Sequence, residues 1–315
     1  MSREMVLQTA PHLPVEDSTP KVMFSVIFAL IPALLAATYF FGYRALLVVT
    51  TCVLSAVVTE LVFLYLRGKK LVLSDGSAIL TGLLLGLTLP VRIHLSLAAL
   101  GSIIAIALGK QIFGGLGHNI FNPALVGRAF LQASYPVLMT TWIAPLEHWT
   151  DNALAATTTA TPLAETVEAG YRELFLGNIG GSLGETSALA LLAGGLFLIL
   201  LGNIDWRIPL SFLTSTAVVG GLLHLYNPGH PDPLTHLLSG GLMLGAFFMA
   251  TDMVTTPITS IGSWIFGLGC GTLVVIIRLF GGQPGGVMYA ILLMNAFTPI
   301  IDRYTRPSPF GEEGN

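Results

Sequence analysis

The chain has 315 residues, of which 53% are hydrophobic and only 10% charged, and its formal net charge is −3. Soluble domains carry about 25% charged residues, so this composition excludes an ordinary soluble domain. The small net charge gives no reason to expect a nucleic-acid partner. We therefore expect an all-α integral membrane protein in contact with lipid.

Ten apolar segments follow one another along the chain, several of them near the ~20 residues that span a hydrocarbon core. They cover residues 22–42, 45–66, 76–90, 94–113, 119–138, 187–203, 208–226, 237–252, 260–280 and 286–302. The third and eighth segments are short and end at Pro90 and Pro257. Broken spans of this kind are tolerated where their free backbone groups face protein or a polar cavity.

Basic residues are distributed unevenly between the two sides of the predicted membrane domain. With the N-terminus in the cytoplasm, nine lysines and arginines, Lys110 among them, lie on the cytoplasmic side and four on the other side. This asymmetry follows the positive-inside rule and places both termini in the cytoplasm. The predicted parts are a cytoplasmic segment 1–21, a five-helix unit 22–138, an extracytoplasmic loop 139–186, a second five-helix unit 187–302 and a cytoplasmic tail 303–315.

The two hydrophobic halves share landmarks at a fixed offset of 167 residues. Residues 112–115 read Ile-Phe-Gly-Gly and residues 279–282 read Leu-Phe-Gly-Gly, while LVGRAF at 125–130 corresponds to LLMNAF at 292–297. Because five is odd, a duplicated five-helix unit inserts in two opposite orientations. We therefore predict two inverted repeats, with any binding site at their interface.

Polar residues open the fifth apolar segment, where a glycine-rich run at 114–117 precedes Asn119 and Asn122. Glycine allows a ligand to approach the backbone closely, and amides three residues apart share a face once a helix has started. Their donors and acceptors suit a flat heterocycle with imide and ring-nitrogen groups. The alternative is a helix capped by Asn122 and followed by Pro123, which needs no ligand.

Three charged side chains lie within apolar segments or at their ends, where a charge is costly unless it is paired or faces a polar cavity. Asp252 ends the eighth segment, and a hydrated or capping carboxylate is the alternative to a ligand site. Arg128 lies about two turns into the fifth segment and needs an anionic partner, a set of carbonyl groups or a ligand. Glu60 is either a paired or proton-linked group or one that extends its carboxylate to the interface. The histidines lack a recognised metal-ligand spacing, and no metal site is predicted.

Five segments of the chain resemble the RnfD/NqrB family of flavin-carrying membrane subunits. They are residues 74–90, 114–131, 159–165, 247–257 and 295–307. The resemblance covers nearly the whole chain, and the length is closer to RnfD-type than to NqrB-type subunits. It implies a subunit of an ion-translocating ferredoxin:NAD+ oxidoreductase, the Rnf complex, in a bacterial or archaeal cytoplasmic (inner) membrane. Electron transfer would be coupled to Na+ or H+ transport, and other membrane, iron–sulfur and flavin subunits would be the partners.

The resemblance also implies a covalent cofactor, because the family carries FMN linked through its phosphate to a threonine. The attachment pattern is Asp, two residues, Ser or Thr, a small residue, Ala and Thr. On this sequence the acceptor is Thr161, and the Asp position falls on Ala155. Thr158 and Thr159 remain alternative acceptors. No residue of the chain is expected to be catalytic by itself.

A second cofactor and an ion-coupling role follow from the same resemblance. Asn119 and Asn122 match positions that line a noncovalent riboflavin site in NqrB-type subunits, and Asp252 matches a carboxylate near it. Glu60 and Arg128 are the candidates for ion coupling. The alternative function is a channel or transporter for a small polar solute, since inverted five-span repeats also build urea- and ammonium-type channels.

Overall fold

The computed structural model describes residues 18–68, 74–146, 170–281 and 285–307, together with the backbone of residues 158–159. The regular secondary structure in these ranges is helical, apart from one short antiparallel strand pair, β1 (Trp142–Ile143) with β2 (Thr158–Thr159). The helices of the first half are α1 (Thr19–Phe41), α2 (Tyr43–Leu66), α3 (Ser77–Leu87), α4 (Leu95–Ile106), α5 (Pro123–Ser134) and α6 (Pro136–Met139). The remaining helices are α7 (Tyr171–Leu176), α8 (Ala188–Leu200), α9 (Arg207–Tyr226), α10 (Pro233–Leu238), α11 (Leu242–Leu244), α12 (Ser260–Phe280) and α13 (Val287–Thr305).

Helix length and surface character agree with a membrane protein. Among the described residues, α1, α2, α9 and α12 are long and apolar enough to cross a membrane. Large apolar side chains such as those of Leu54, Leu200 and Leu225 are exposed on the helix surfaces, where lipid would cover them. The prediction of an all-α integral membrane protein is confirmed, while the number of spans stays a prediction.

The two halves of the chain pack in the same way. In the first half α2 packs against α4, and α4 packs against α5. In the second half α9 packs against α12, and α12 packs against α13, so the corresponding helices make the corresponding contacts. The duplication predicted from the 167-residue offset is therefore present in the packing.

Contacts between the halves show that the repeats are inverted. The first helices of the two repeats are antiparallel, because Asn203 after α8 contacts Ser25 near the start of α1, and Gly194 lies against Ala29 further along. The fifth helices are antiparallel too, because Asn122 contacts Asn295 and Arg128 approaches Gly285. Corresponding helices thus run in opposite directions, as the odd number of segments requires.

Two faces of the protein serve as a reference below. We call the face at which α1 begins the proximal face. The opposite face, where α1 ends, is the distal face, and it carries the loop around β1 because Leu146 donates from its backbone to the carbonyl of Phe40. The predicted topology would make the proximal face cytoplasmic.

Broken helices differ in detail from the predicted segments. The third span ends at Leu87, three residues before Pro90, and the eighth consists of α11 and a π-helical turn, Gly245–Met249. A second π-turn, Ala107–Gln111, continues α4. The fifth helix begins only at Pro123, because the glycine-rich run before it forms turns with positive φ at Gly114, Gly115 and Gly117. Glycine adopts such angles at no steric cost.

Candidate functional site

A central cleft lies between the two repeats, toward the proximal face. It offers about 60 Å³ of room to water-sized groups, within about 710 Å³ of space between atoms that includes open solvent. Its polar lining comes from both repeats: Ser77, Thr81, Lys110, Asn119, Asn122, Asn203, Thr251 and Asp252. Apolar side chains of α1, α3 and the π-turn of the eighth span complete the wall, among them Met23, Leu84 and Phe248. An apolar wall with a few converging polar groups makes this cleft a candidate small-molecule site.

Asn122 is a structural residue at the base of the cleft. Its Oδ1 caps α5 by accepting from the backbone amides of Ala124 and Leu125, at 3.0 and 3.4 Å. Its Nδ2 donates to the carbonyl of Met249 at 3.2 Å, which satisfies a free backbone group of the broken eighth span. The capping interpretation of Asn122 is therefore correct, and the same residue also joins the two repeats.

The partner of Asn122 in the second repeat is Asn295. Its Oδ1 accepts from the backbone amide of Asn122 at 3.2 Å, and its Nδ2 donates to the carbonyl of Thr255 at 3.3 Å. Thr298 donates to the same carbonyl at 3.0 Å. These side chains allow non-helical backbone to lie inside the protein, because each of the carbonyls of Met249 and Thr255 receives a donor.

We expect the change Asn122→Ala to cost about 2–4 kcal/mol of stability, since it removes a helix cap and leaves the Met249 carbonyl buried without a donor. Asn122→Ser retains a capping oxygen, and its loss should be clearly smaller. The thermal aggregation midpoint of the detergent-solubilised chain measures both. Equal midpoints for Asn122→Ala and the unchanged chain would show that the residue does not join the repeats.

Asn119 lies in the turn before α5, so the expectation that it shares a helix face with Asn122 is wrong. The helix starts at Pro123, four residues after Asn119, because the glycine-rich run before it forms turns. Asn119 is buried, and its Nδ2 donates to the carbonyl of Phe121 at 3.2 Å. Among the described residues its Oδ1 has no hydrogen-bond partner, although it is buried at the wall of the cleft. An unpaired buried acceptor is costly, so this oxygen is a candidate contact for a polar group in the cleft.

Asp252 lies at the opposite wall of the cleft, after the π-turn of the eighth span. Its Oδ2 accepts from the hydroxyl of Thr255 at 3.2 Å, and its backbone carbonyl accepts from Thr255 and Thr256. The side chain is half-buried. The structure thus brings Asn119, Asn122 and Asp252 to one cleft from both repeats.

Glu60 forms a buried ion pair with Lys110. The Nζ of Lys110 lies 2.6 Å from Glu60 Oε1, and the two side chains are 1% and 6% exposed. Lys110 also donates to Ser77 Oγ at 2.6 Å, and Gln111 Nε2 donates to Glu60 Oε1 at 3.2 Å. Glu60 is paired, and its carboxylate does not extend to an interface. Lys110, counted among the cytoplasmic flanking charges, lies instead inside the protein.

Arg128 has the anionic partner that its position requires, and that partner is Glu185. Arg128 Nη1 lies 3.0 Å from Glu185 Oε1, with side-chain exposures of 14% and 8%. Sequence reasoning missed Glu185 because it assigned residues 139–186 to a solvated loop. Residues 182–187 are in fact buried. Their backbone closes the end of the broken third span, where Leu183 and Gly184 donate to the carbonyls of Leu89 and Leu87.

Thr161 lies outside the described residues, as does Ala155. The described parts on either side anchor the loop at the distal face: β2 pairs with β1, and α7 packs against α10. Tyr171 donates to Asp232 Oδ2 at 3.0 Å. Partial burial opposes the charge of Asp232, but hydrogen bonds from Thr235, Tyr171 and backbone amides hold its pKa below the usual value. The hydrogen bond from Tyr171 to Asp232 and the negative charge of Asp232 both raise the pKa of Tyr171.

Inverted repeats around a polar cleft define a polytopic α-helical membrane protein with a candidate site between its halves. The chain belongs to the NQR2, RnfD, RnfE family, whose model matches residues 6–311.

Curated relatives match over nearly their whole length. A subunit of the proton-translocating ferredoxin:NAD(+) oxidoreductase complex of Clostridium ljungdahlii is 45% identical, with 97% of this chain and 96% of the relative covered. A subunit of the Na(+)-translocating ferredoxin:NAD(+) oxidoreductase complex of Acetobacterium woodii is 46% identical, over 98% and 95%. A subunit of the ion-translocating oxidoreductase complex of Stutzerimonas stutzeri is 41% identical, over 94% and 93%. Overall identity therefore does not distinguish between H+ and Na+ as the coupling ion.

Proposed function

We propose that this chain is the membrane electron-transfer subunit of an Rnf-type ferredoxin:NAD+ oxidoreductase. It would carry FMN covalently on Thr161, outside the cytoplasmic membrane, and a second, noncovalent flavin in the central cleft. The family match over residues 6–311 and the names of the relatives support the assembly. The meeting of Asn119, Asn122 and Asp252 in one cleft is the observation that supports the second site.

The residues of the cleft fit a flavin ring. Its pyrimidine edge offers carbonyl acceptors and one imide N–H donor, and the cleft offers both partners. Asn119 Oδ1 is a buried acceptor that receives no hydrogen bond from the described residues. Lys110 places an ammonium group at the wall of the cleft. Apolar side chains flank these groups, as a planar ring requires. A bound flavin would supply the electron-transfer chemistry, while these residues hold the ring, orient it and set its electrostatics.

Ion coupling in this proposal uses the buried charges on either side of the cleft. Glu60 with Lys110 lies toward the proximal face, and Arg128 with Glu185 lies toward the distal face. Buried ionisable groups in a membrane domain mark ion and proton pathways. The coupling ion, Na+ or H+, would pass through the core between the inverted repeats. Family membership favours this function over a channel for a small polar solute.

Flavin extraction tests the cleft directly. The full chain is purified alone, its protein is precipitated with acid, and the flavin released into the supernatant is measured per chain. Asn119→Ala should reduce the released flavin about tenfold at limiting flavin, because a bound imide would lose its acceptor. Asn227→Ala, in the exposed turn after α9 at the distal face, is the matched control. Equal flavin contents in both variants would exclude Asn119 from the site.

A further inference from the structure

Among the described residues, the ammonium group of Lys110 has partners for two of its donors. A protonated lysine has three N–H donors, and the two partners are Glu60 Oε1 and Ser77 Oγ. The side chain is 1% exposed, so bulk water does not satisfy the third donor. Lys110 lines the central cleft, whereas Glu60 does not. The positive end of this ion pair therefore faces the cleft, and its negative end lies behind it.

Glu60 is only half satisfied. Its Oε1 accepts from both Lys110 and Gln111, while its buried Oε2 has no partner among the residues that the structure describes. A carboxylate held by one tethered cation, with a free oxygen, is suited to take a second cation when the first moves away. The nearby charged groups are Arg67, which donates to Gln111, and Asp75, which accepts from Ser77.

We propose that Lys110 is shared between the central cleft and Glu60, so that negative charge in the cleft and cation binding at Glu60 favour each other. This inference rests on the proposed flavin in the cleft. Lys110 would be a positioning residue that couples the two sites through its one positive charge. Such coupling is reciprocal. If cation binding favours the reduced flavin, reduction of the flavin raises the affinity for the cation by the same free energy.

Charge balance fits this arrangement. If a bound flavin received two electrons from the reductant of the complex and one proton, the cleft would hold one additional negative charge. That charge would draw the ammonium of Lys110 toward the cleft. Glu60 would then have less compensation, and one Na+ or H+ bound there would restore neutrality in the buried region. No bond of the protein changes, and the third donor of Lys110 explains why the ammonium can serve both sides.

Redox titration of the cleft flavin tests the inference. The full chain carrying Thr161→Ala is used, so that only noncovalent flavin is observed, and its midpoint potential is measured against Na+ at fixed pH and against pH at fixed Na+. The double variant Glu60→Gln/Lys110→Met removes both charges, so it leaves neither charge unpaired. We expect the midpoint potential of its flavin to fall by about 30 mV. For a two-electron couple this corresponds to tenfold weaker binding of the reduced ring relative to the oxidised ring.

The single variants separate the two roles of the pair. Lys110→Arg keeps the positive charge, so the midpoint potential of the cleft flavin should stay close to that of the unchanged protein. Glu60→Gln should abolish the dependence of this potential on the coupling cation. An unchanged potential in the double variant, or an unchanged cation dependence in Glu60→Gln, would overturn the proposed role of Lys110 but leave the proposed flavin site in the cleft standing. Absence of noncovalent flavin from the unchanged chain overturns this inference together with the proposed cleft site.

Discussion

Replacing Glu185 by alanine is expected to destabilise the protein by about 3–5 kcal/mol, because the Arg128 guanidinium is then left buried without its carboxylate. Arg128 is 14% exposed and approaches its partner to 3.0 Å. The Glu185 carboxylate also lies against Gly241, at the start of α11, where the helix dipole favours a negative charge. The amount of chain in membranes and its thermal aggregation midpoint measure the loss.

Two further variants separate the ion pair from a general effect of substitution. Arg128→Met combined with Glu185→Ala removes both charges, and it should recover part of the stability lost in Glu185→Ala. Asp205→Asn breaks the pair of Asp205 with Arg207, whose side chains are 30% and 34% exposed. That change should stay within about 0.5 kcal/mol. If Glu185→Ala is as mild as Asp205→Asn, the buried pair does not hold residues 182–187 in place.

Thr161→Ala is expected to reduce ferredoxin-dependent NAD+ reduction by the complex to background. Without the hydroxyl the phosphoester to FMN cannot form, and the electron path would lose its carrier on the distal side. Assembly should be unaffected, because the substitution leaves unchanged the described residues that flank the loop, β1 with β2 and α7 with α10. The activity of the complex in membrane vesicles, with its subunit content as a control, measures the effect.

Hydrophobic segments and the duplicated landmarks were sufficient to predict the fold. Apolar length determines which stretches can lie in a membrane, and an odd number of segments per repeat determines their inversion. The broken third and eighth spans were also recognisable, because both are short and Pro90 and Pro257 follow them. Their ends were less predictable: α3 ends at Leu87, since the turn that closes it depends on backbone donors from Leu183 and Gly184, almost a hundred residues away.

The candidate site was predictable residue by residue but not as a set of contacts. The need of Arg128 for a partner and the cost of an unpaired Glu60 were visible in the sequence. Their partners were not, because Glu185 was assigned to a solvated loop and Lys110 was counted among the cytoplasmic flanking charges. Burial of a loop is decided by tertiary packing, and the pairing of residues 50 or more positions apart leaves no local pattern.

In-gel flavin fluorescence tests the central claim most directly. The chain is produced together with a flavin transferase, separated on a denaturing gel and illuminated, so that only covalently bound flavin fluoresces in its band. We predict a fluorescent band for the unchanged chain and for the control variants Thr158→Ala and Thr159→Ala, and a dark band for Thr161→Ala. A dark band for the unchanged chain would contradict the claim that this subunit carries covalent FMN. A fluorescent Thr161→Ala band would show that the acceptor is another residue.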